Sequence, residues 1–284
     1  MKYSHVALLT DYGTRDEFVG VLKSVILDRS PHVTITDITH DVPAFDVRAG
    51  SLTLARAIQY VPSGIVVAVV DPGVGTSRRA IAVQVANGEG VLIGPDNGLL
   101  APAVSMAGGA ERAFVLTNTD LHLPAPGATF AGRDVFAPVA AFLCNGGSIE
   151  DVGEEVDANV LLPGVIPIAS EEKSDTYGVG VRAEILWVDH YGNCQLNVGT
   201  EDVEHLSSRI RFVIDDEVRS ADVVTSFADV APGAVGLVVD SYGMLALSCD
   251  RASAAMNLNV AAGDKVLLFA GTGDTPVSTP VQLR

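Results

Sequence analysis

Asp71 and Arg78 lie seven positions apart in the segment Val70-Asp71-Pro72-Gly73-Val74-Gly75-Thr76-Ser77-Arg78-Arg79. The segment follows the most hydrophobic run of the chain. It has no phosphate-loop lysine, and its glycines do not match Gly-x-Gly-x-x-Gly, which argues against nucleotide-phosphate binding. An aspartate at the end of a buried strand with an arginine in reach is either a structural ion pair or a carboxylate held ionised to orient a water.

Three other loops carry more polar residues than connection requires. Thr10-Asp11-Tyr12-Gly13-Thr14-Arg15-Asp16 follows the first apolar run. The carboxyl ends of parallel strands form the ligand crevice of an open sheet, so Asp11 is placed to bind a ribose diol. The loop also reads as a turn plus helix cap, with Asp16 favouring the helix N-terminus. Pro126-Gly127-Ala128-Thr129-Phe130-Ala131-Gly132-Arg133-Asp134 reads as packing at a helix start. In Trp187-Val188-Asp189-His190-Tyr191-Gly192-Asn193-Cys194, the Asn193 amide offers both a donor and an acceptor to an adenine edge, although any asparagine-containing turn has this appearance.

The elements that must position these loops follow from hydrophobic period. Strands are expected at 6–9, 33–38, 64–70, 80–85 and 90–93. Helices are expected from just after Thr14, with Glu17 completing a capping box, and at 45–60, 99–106 and 135–143. This alternation predicts an α/β N-terminal layered domain with a mainly parallel sheet over 1–162. Residues 163–177 read as a linker. Short strands at 178–188, 210–214, 234–239, 245–248 and 265–269 then predict a smaller all-β, barrel-like C-terminal domain over 178–284.

The formal net charge of -17 disfavours nucleic acid and anionic membranes as partners. No apolar run is long enough to span a bilayer and no signal segment is evident, so a cytoplasmic protein is expected. The acidic, lysine-poor composition suits a salt-adapted, halophilic cytoplasm, or reflects acidic drift in a GC-rich genome. Cys144, Cys194 and Cys249 are widely spaced and read as reduced, buried thiols. The histidines show no close pairing, so no metal site is expected.

Taken in order, the loops resemble those of the S-adenosyl-L-methionine (SAM) hydrolases, or adenosyl-hydroxide transferases, relatives of fluorinating and chlorinating enzymes that use the same substrate. The resemblance extends through Thr36-Asp37-Ile38-Thr39-His40, residues 42–47, Pro95-Asp96-Asn97-Gly98-Leu99-Leu100, and Ser226-Phe227-Ala228-Asp229 to Ser241-Tyr242-Gly243, covering nearly the whole chain. It implies SAM as substrate with no cofactor, and a homotrimer with active sites at subunit interfaces. Asp71 and Arg78 would be catalytic. Asp11 would hold the ribose hydroxyls, and Phe45, Phe130, Tyr191 and Phe227 would form walls. Asn193 would pair with adenine, helped by backbone near Arg251. Asp16, Asp189 and Ser241 would hold the methionine end, and Ala131, Gly132 and Tyr242 complete the binding set. The hydrolases carry a histidine where this chain has Ala131.

The sulfonium makes methionine a good leaving group, so the protein's task is to align and desolvate a nucleophile behind ribose C5′. A halide beside the Asp71 carboxylate would be repelled, whereas a water can donate to it, so water is the expected nucleophile. The alternatives are a module that binds SAM or adenosine without cleaving it, which Ala131 motivates, and a SAM-dependent halogenase.

Overall fold

The β-branched runs become the centre of a seven-stranded sheet. In the computed structural model, which describes residues 3–271, β1 (His5–Thr10) and β3 (Ile65–Val69) are buried at every position, as strands covered on both faces must be. With β2 (Thr34–Thr39), β4 (Ala80–Val85), β5 (Gly90–Pro95), β6 (Arg112–Val115) and β7 (Glu154–Val156) they form the order β2-β1-β3-β5-β4-β6-β7. The half β2-β1-β3-β5 is parallel, whereas β4 runs against β5 and β6, and β7 against β6.

Successive strand residues face opposite layers. Val6, Leu8, Val67 and Val69 pack on Leu22 and Ile26 of α1 (Phe18–Arg29) and Val139 and Leu143 of α4 (Ala137–Cys144). Ala7, Leu9, Val66 and Ala68 pack on Leu54 of α2 (Val47–Ala57) and Ala103 of α3 (Ala101–Met106). The chain divides into two compact units, the first ending at Ile166 and the second beginning at Pro167.

The second unit is a closed β-barrel of β9 (Gly178–Val188), β10 (Cys194–Gly199), β11 (Arg209–Ile214), β12 (Glu217–Val224), β13 (Gly236–Val239), β14 (Met244–Ser248) and β15 (Lys265–Ala270). The ring runs β10-β14-β13-β12-β11-β15-β9 and closes through β9–β10 pairing. Its core includes Ile185, Leu196, Phe212, Leu237, Leu247 and Leu268. Two short helices, α5 (Thr200–Val203) and α6 (Ala254–Leu258), interrupt the strands.

The fold class is as expected: an α/β layered unit with a mainly parallel sheet, then a β-barrel. Several local expectations differ. Helix α1 starts at Phe18 with Glu17 as its N-cap and no side-chain cap bond, so Thr14 and Glu17 form no capping box. The Gly13 N–H donates to the His40 carbonyl at 2.8 Å, which holds that loop outside the helix. Phe45 has φ 68° and stays outside α2, which Asp46 caps by accepting from the Ala49 N–H. Within the segment read as linker, Ser170–Ser174 is a strand, β8, pairing with the outer edge of β9. Strands β6, β7, β10 and β12 were not anticipated. Cys144, Cys194 and Cys249 are free and buried. Among the described residues no helix is long and apolar enough to cross a membrane, and no cluster of His, Cys, Asp and Glu suits a metal.

Candidate active site

Parallel neighbours β1 and β3 deliver the first two acidic groups side by side. Thr10 pairs with Val69 in register, and the Asp11 N–H donates to the Val69 carbonyl at 3.3 Å. Asp11 and Asp71 therefore emerge from adjacent carboxyl ends, where α/β sheets bind ligands. After Asp71 the chain turns tightly: the Val74 N–H donates to the Asp71 carbonyl (3.2 Å) and the Thr76 hydroxyl to the Gly73 carbonyl (2.6 Å). That turn brings Arg78 back onto Asp71.

The pair is bidentate. Arg78 Nε donates to Asp71 Oδ1 at 3.0 Å and Nη2 donates to Oδ2, while Nη1 donates to the Arg79 carbonyl at 3.1 Å. Both side chains are largely buried, 4% exposed for Asp71 and 12% for Arg78. The guanidinium also sits 5.7 Å from the Phe136 ring centroid. Burial raises the Asp71 carboxyl above the ordinary carboxylate value; the Arg78 charge and hydrogen bonds and the Gly73 N–H oppose it, and Asp11 adds to it. Arg78 was expected to keep Asp71 ionised, and it does pull that way, but desolvation prevails. Asp71 is thereby a stronger base than a solvated carboxylate.

Asp11 fixes the opposite wall. Its Oδ2 accepts the Phe45 N–H at 2.9 Å, and Phe45, held at positive φ, is 73% exposed. An aromatic residue in that backbone region is strained and persists only where its surroundings impose it. The same loop is tied down behind the site, where buried Thr10 and His40 share a 2.8 Å hydrogen bond and His40 lies 3.0 Å from Asp37.

The third wall is aromatic. Tyr12, Phe18 and Phe130 form a triangle with ring centroids 5.1 to 5.8 Å apart. Arg133 lies 5.0 Å over Phe130 and pairs with Asp134. These residues enter α4 through a π-helical turn, Gly132–Phe136, a distortion often found at functional sites. Gly132 is required there, because a Cβ would collide with the Tyr12 hydroxyl. Asp11, Tyr12, Phe18, Phe45, Asp71 and Ala131, with Ala44, Val69, Val74 and Thr129, enclose a cleft of about 240 Å³. A larger cavity, about 310 Å³, lies against α3, but its single charged lining residue, Asp96, is engaged by Arg79 and the Leu162 N–H. The chemistry therefore belongs to the smaller cleft.

Asp71, Arg78, Asp11, Phe45, Phe130, Ala131 and Gly132 are thus brought together, while Asp16 stands exposed in the turn before α1. In the barrel unit, Asp189, Tyr191 and Asn193 share the β9–β10 turn. Asp189 accepts from the Tyr191 N–H (2.9 Å), the Asn193 N–H (2.8 Å) and the Asn193 side-chain amide (2.8 Å). Arg251 lies in the segment beside it, where the Ala255 N–H donates to the Gly192 carbonyl. Ser241 and Tyr242 occupy the β13–β14 turn, and Phe227 a short 3-10 turn after β12. Strand β14 begins at the 240–243 turn and reaches the 189–193 turn only at its far end, where Cys194 pairs with Leu247. Sequence reasoning missed Tyr12 and Phe18; an aromatic adjoining Asp11 and another at the helix start were the available signals.

Residues 6–153 match the profile of the SAM hydroxide adenosyltransferase N-terminal domain, and residues 183–267 that of the corresponding C-terminal domain. The chain is 42% identical to the (R)-S-adenosyl-L-methionine hydrolase of Salinispora tropica, over 94% of this chain and 98% of that protein. It is 27% identical to the fluorinase of an Actinoplanes species, over 91% of this chain and 95% of that protein. The crystal structure of an uncharacterized conserved protein from Thermotoga maritima superposes with a TM-score of 0.80 at 33% identity, covering 93% of this chain and 99% of that one.

Proposed function

Because the chain belongs to the SAM hydroxide adenosyltransferase family, we propose that it is an enzyme that hydrolyses SAM to adenosine and L-methionine, with water attacking ribose C5′. The observation that carries this reading is the buried, bidentate Asp71–Arg78 pair facing the cleft. A water between Asp71 and C5′ donates one proton to the carboxylate while its oxygen bonds to carbon. The C5′–S bond breaks with its electron pair passing to sulfur, and methionine leaves as a neutral thioether. Arg78 grips both Asp71 oxygens and so limits rotation of the base, which is worth rate because reaction needs near-attack alignment. A halide in the same place would face an acceptor, not a donor, so halogenation is the weaker reading.

Substrate contacts follow the same logic. Asp11 offers Oδ1 to a ribose hydroxyl while Oδ2 holds Phe45, and Phe45 walls the cleft directly while Phe130 backs the Tyr12 and Phe18 rings. Asp16, Asp189, Ser241 and Tyr242 serve the methionine end, Gly132 borders the reacting centre, and Tyr191, Asn193, Phe227 and Arg251 serve adenine. In this reading the barrel residues complete the site in a homotrimer, no cofactor is used, and the protein works in a salt-rich cytoplasm.

Ala131 lines the cleft with a methyl group, which favours slow turnover and gives a second reading, SAM binding without cleavage, its specific support. Incubation with SAM and chromatography of the products separates them. Adenosine and methionine in equal amounts are expected; no adenosine above the spontaneous rate, with SAM still bound in calorimetry, would establish the second reading instead.

A further inference from the structure

The cleft beside Asp71 is short of hydrogen-bond donors. Asp11 and Asp71 accept only when ionised. The Arg78 nitrogens point to Asp71 and to the Arg79 carbonyl. Ala44, Val69, Val74 and Ala131 line it with hydrocarbon, leaving the hydroxyls of Tyr12 and Thr129 as the neutral polar side chains. A water that donates to Asp71 and presents one lone pair to carbon keeps a second lone pair, which needs a donor if the molecule is to hold one orientation.

Tyr12 is built to be that donor. Its ring is wedged between Phe18 and Phe130, whereas Thr129 lies on an exposed loop. Its hydroxyl packs against the Gly132 backbone, an approach open only because residue 132 has no side chain. Tyr12 lines the cleft together with Asp11 and Asp71, which leaves its hydroxyl proton for a molecule held there. Burial, and then Asp11 and Asp71, disfavour the phenolate, so the group keeps its proton and acts as a donor, never as a base.

We propose that Tyr12 is a further catalytic residue whose hydroxyl donates to the oxygen of the attacking water and holds it between Asp71 and C5′. The proposal rests on the hydrolase reading. In the step, the water oxygen bonds to C5′, sulfur takes the C5′–S electron pair, one water proton passes to Asp71, and Tyr12 ends with the proton it began with.

Tyr12→Phe tests this while keeping the ring in its aromatic triangle. Expected is a fall in kcat of roughly tenfold or more, the size set by one lost hydrogen bond, with KM and the calorimetric dissociation constant for SAM within about twofold. In an Ala131→His background, where an imidazole supplies another polar group, the same substitution should cost about threefold or less. A Tyr12→Phe protein with unchanged kcat, or one altered only in KM or melting temperature, overturns the proposal while leaving the hydrolase reading intact. A wild-type protein that binds SAM but releases no adenosine overturns both.

Discussion

Asp71 and Asp189 both end a strand, both sit at the head of a tight turn, and both use their two carboxylate oxygens. Their partners differ. Asp189 accepts three neutral N–H groups from its own turn, and Asp240 repeats the pattern with the N–H groups of Tyr242 and Met244. The two turns share the sequence Asp-x-Tyr-Gly-x, and in each the glycine takes a positive φ, 85° at Gly192 and 80° at Gly243. A carboxylate held that way orders its hairpin, whatever it also offers a ligand. Asp71 is instead held by a buried cation and faces a cleft, so its proton affinity is set by competing desolvation and charge. Engagement of a carboxylate therefore says little about its role; what decides is whether its partners are neutral dipoles or a charge beside an open volume.

Substituting Asp71→Asn should break the functional side hardest. Turnover should fall by about 10²- to 10⁴-fold, the usual worth of a general base, with SAM binding retained by calorimetry. Unchanged adenosine production would reduce Asp71 to one half of a structural ion pair.

Replacing Arg78→Met leaves a buried carboxylate without its cation. Breaking such a pair costs about 3–5 kcal/mol, read as a lowered melting temperature at neutral pH. Because Arg78 opposes the upward effect of burial on Asp71, its removal should move the acid limb of the kcat profile to higher pH. The sign for stability follows from the same direction. A raised folded-state value means that Asp71 stabilises the fold when protonated and that this contribution is lost as pH rises through that value. The melting-temperature gap between wild type and Asp71→Asn should therefore shift in favour of the variant as pH rises from about 3 through the carboxylate range. A gap independent of pH would mean that Asp71 titrates as an ordinary solvated acid.

How much of this was legible depends on whether the decisive contact is local. The seven-residue spacing of Asp71 and Arg78 brought them to notice because one turn joins them, and the apolar runs around Val67 and Leu8 announced a doubly covered sheet. Tyr12 gave a weaker signal: Phe18 is near in sequence, but Phe130 and Gly132, which fix its ring and hydroxyl, lie over a hundred residues away. The helix expected from Thr14 starts later because Gly13 is held by His40, again from another element. Ser170–Ser174 is an edge strand with no fully buried residue, so hydropathy had nothing to report and only hydrogen bonding to β9 defines it.

Ala131→His asks whether the methyl at the cleft limits the rate. An imidazole beside Asp71 supplies another polar contact to the water, so kcat should rise by about tenfold, less than the usual 10²- to 10⁴-fold of acid–base catalysis because Asp71 already serves as the base. A loss of activity with normal SAM affinity would show that the cleft has closed around alanine and that Tyr12 alone suits it.

The smallest expected effect on chemistry separates the two kinds of aspartate directly. Asp189→Ala and Asp240→Ala each remove a carboxylate that orders a turn of the same design, so each should lose about 0.5–1.5 kcal/mol from those solvent-accessible turn hydrogen bonds. If Asp189 serves only to shape the loop that presents Tyr191 and Asn193, its loss should raise KM while kcat at saturation stays within about twofold, since binding common to ground and transition states affects KM alone. Asp240→Ala, acting on the turn that carries Ser241 and Tyr242, also takes the acceptor from the buried Gln195 amide, so it should cost more stability than Asp189→Ala and show a KM change of its own. A fall in kcat for Asp189→Ala as deep as that for Asp71→Asn would erase the distinction between a carboxylate held by dipoles and one held by charge.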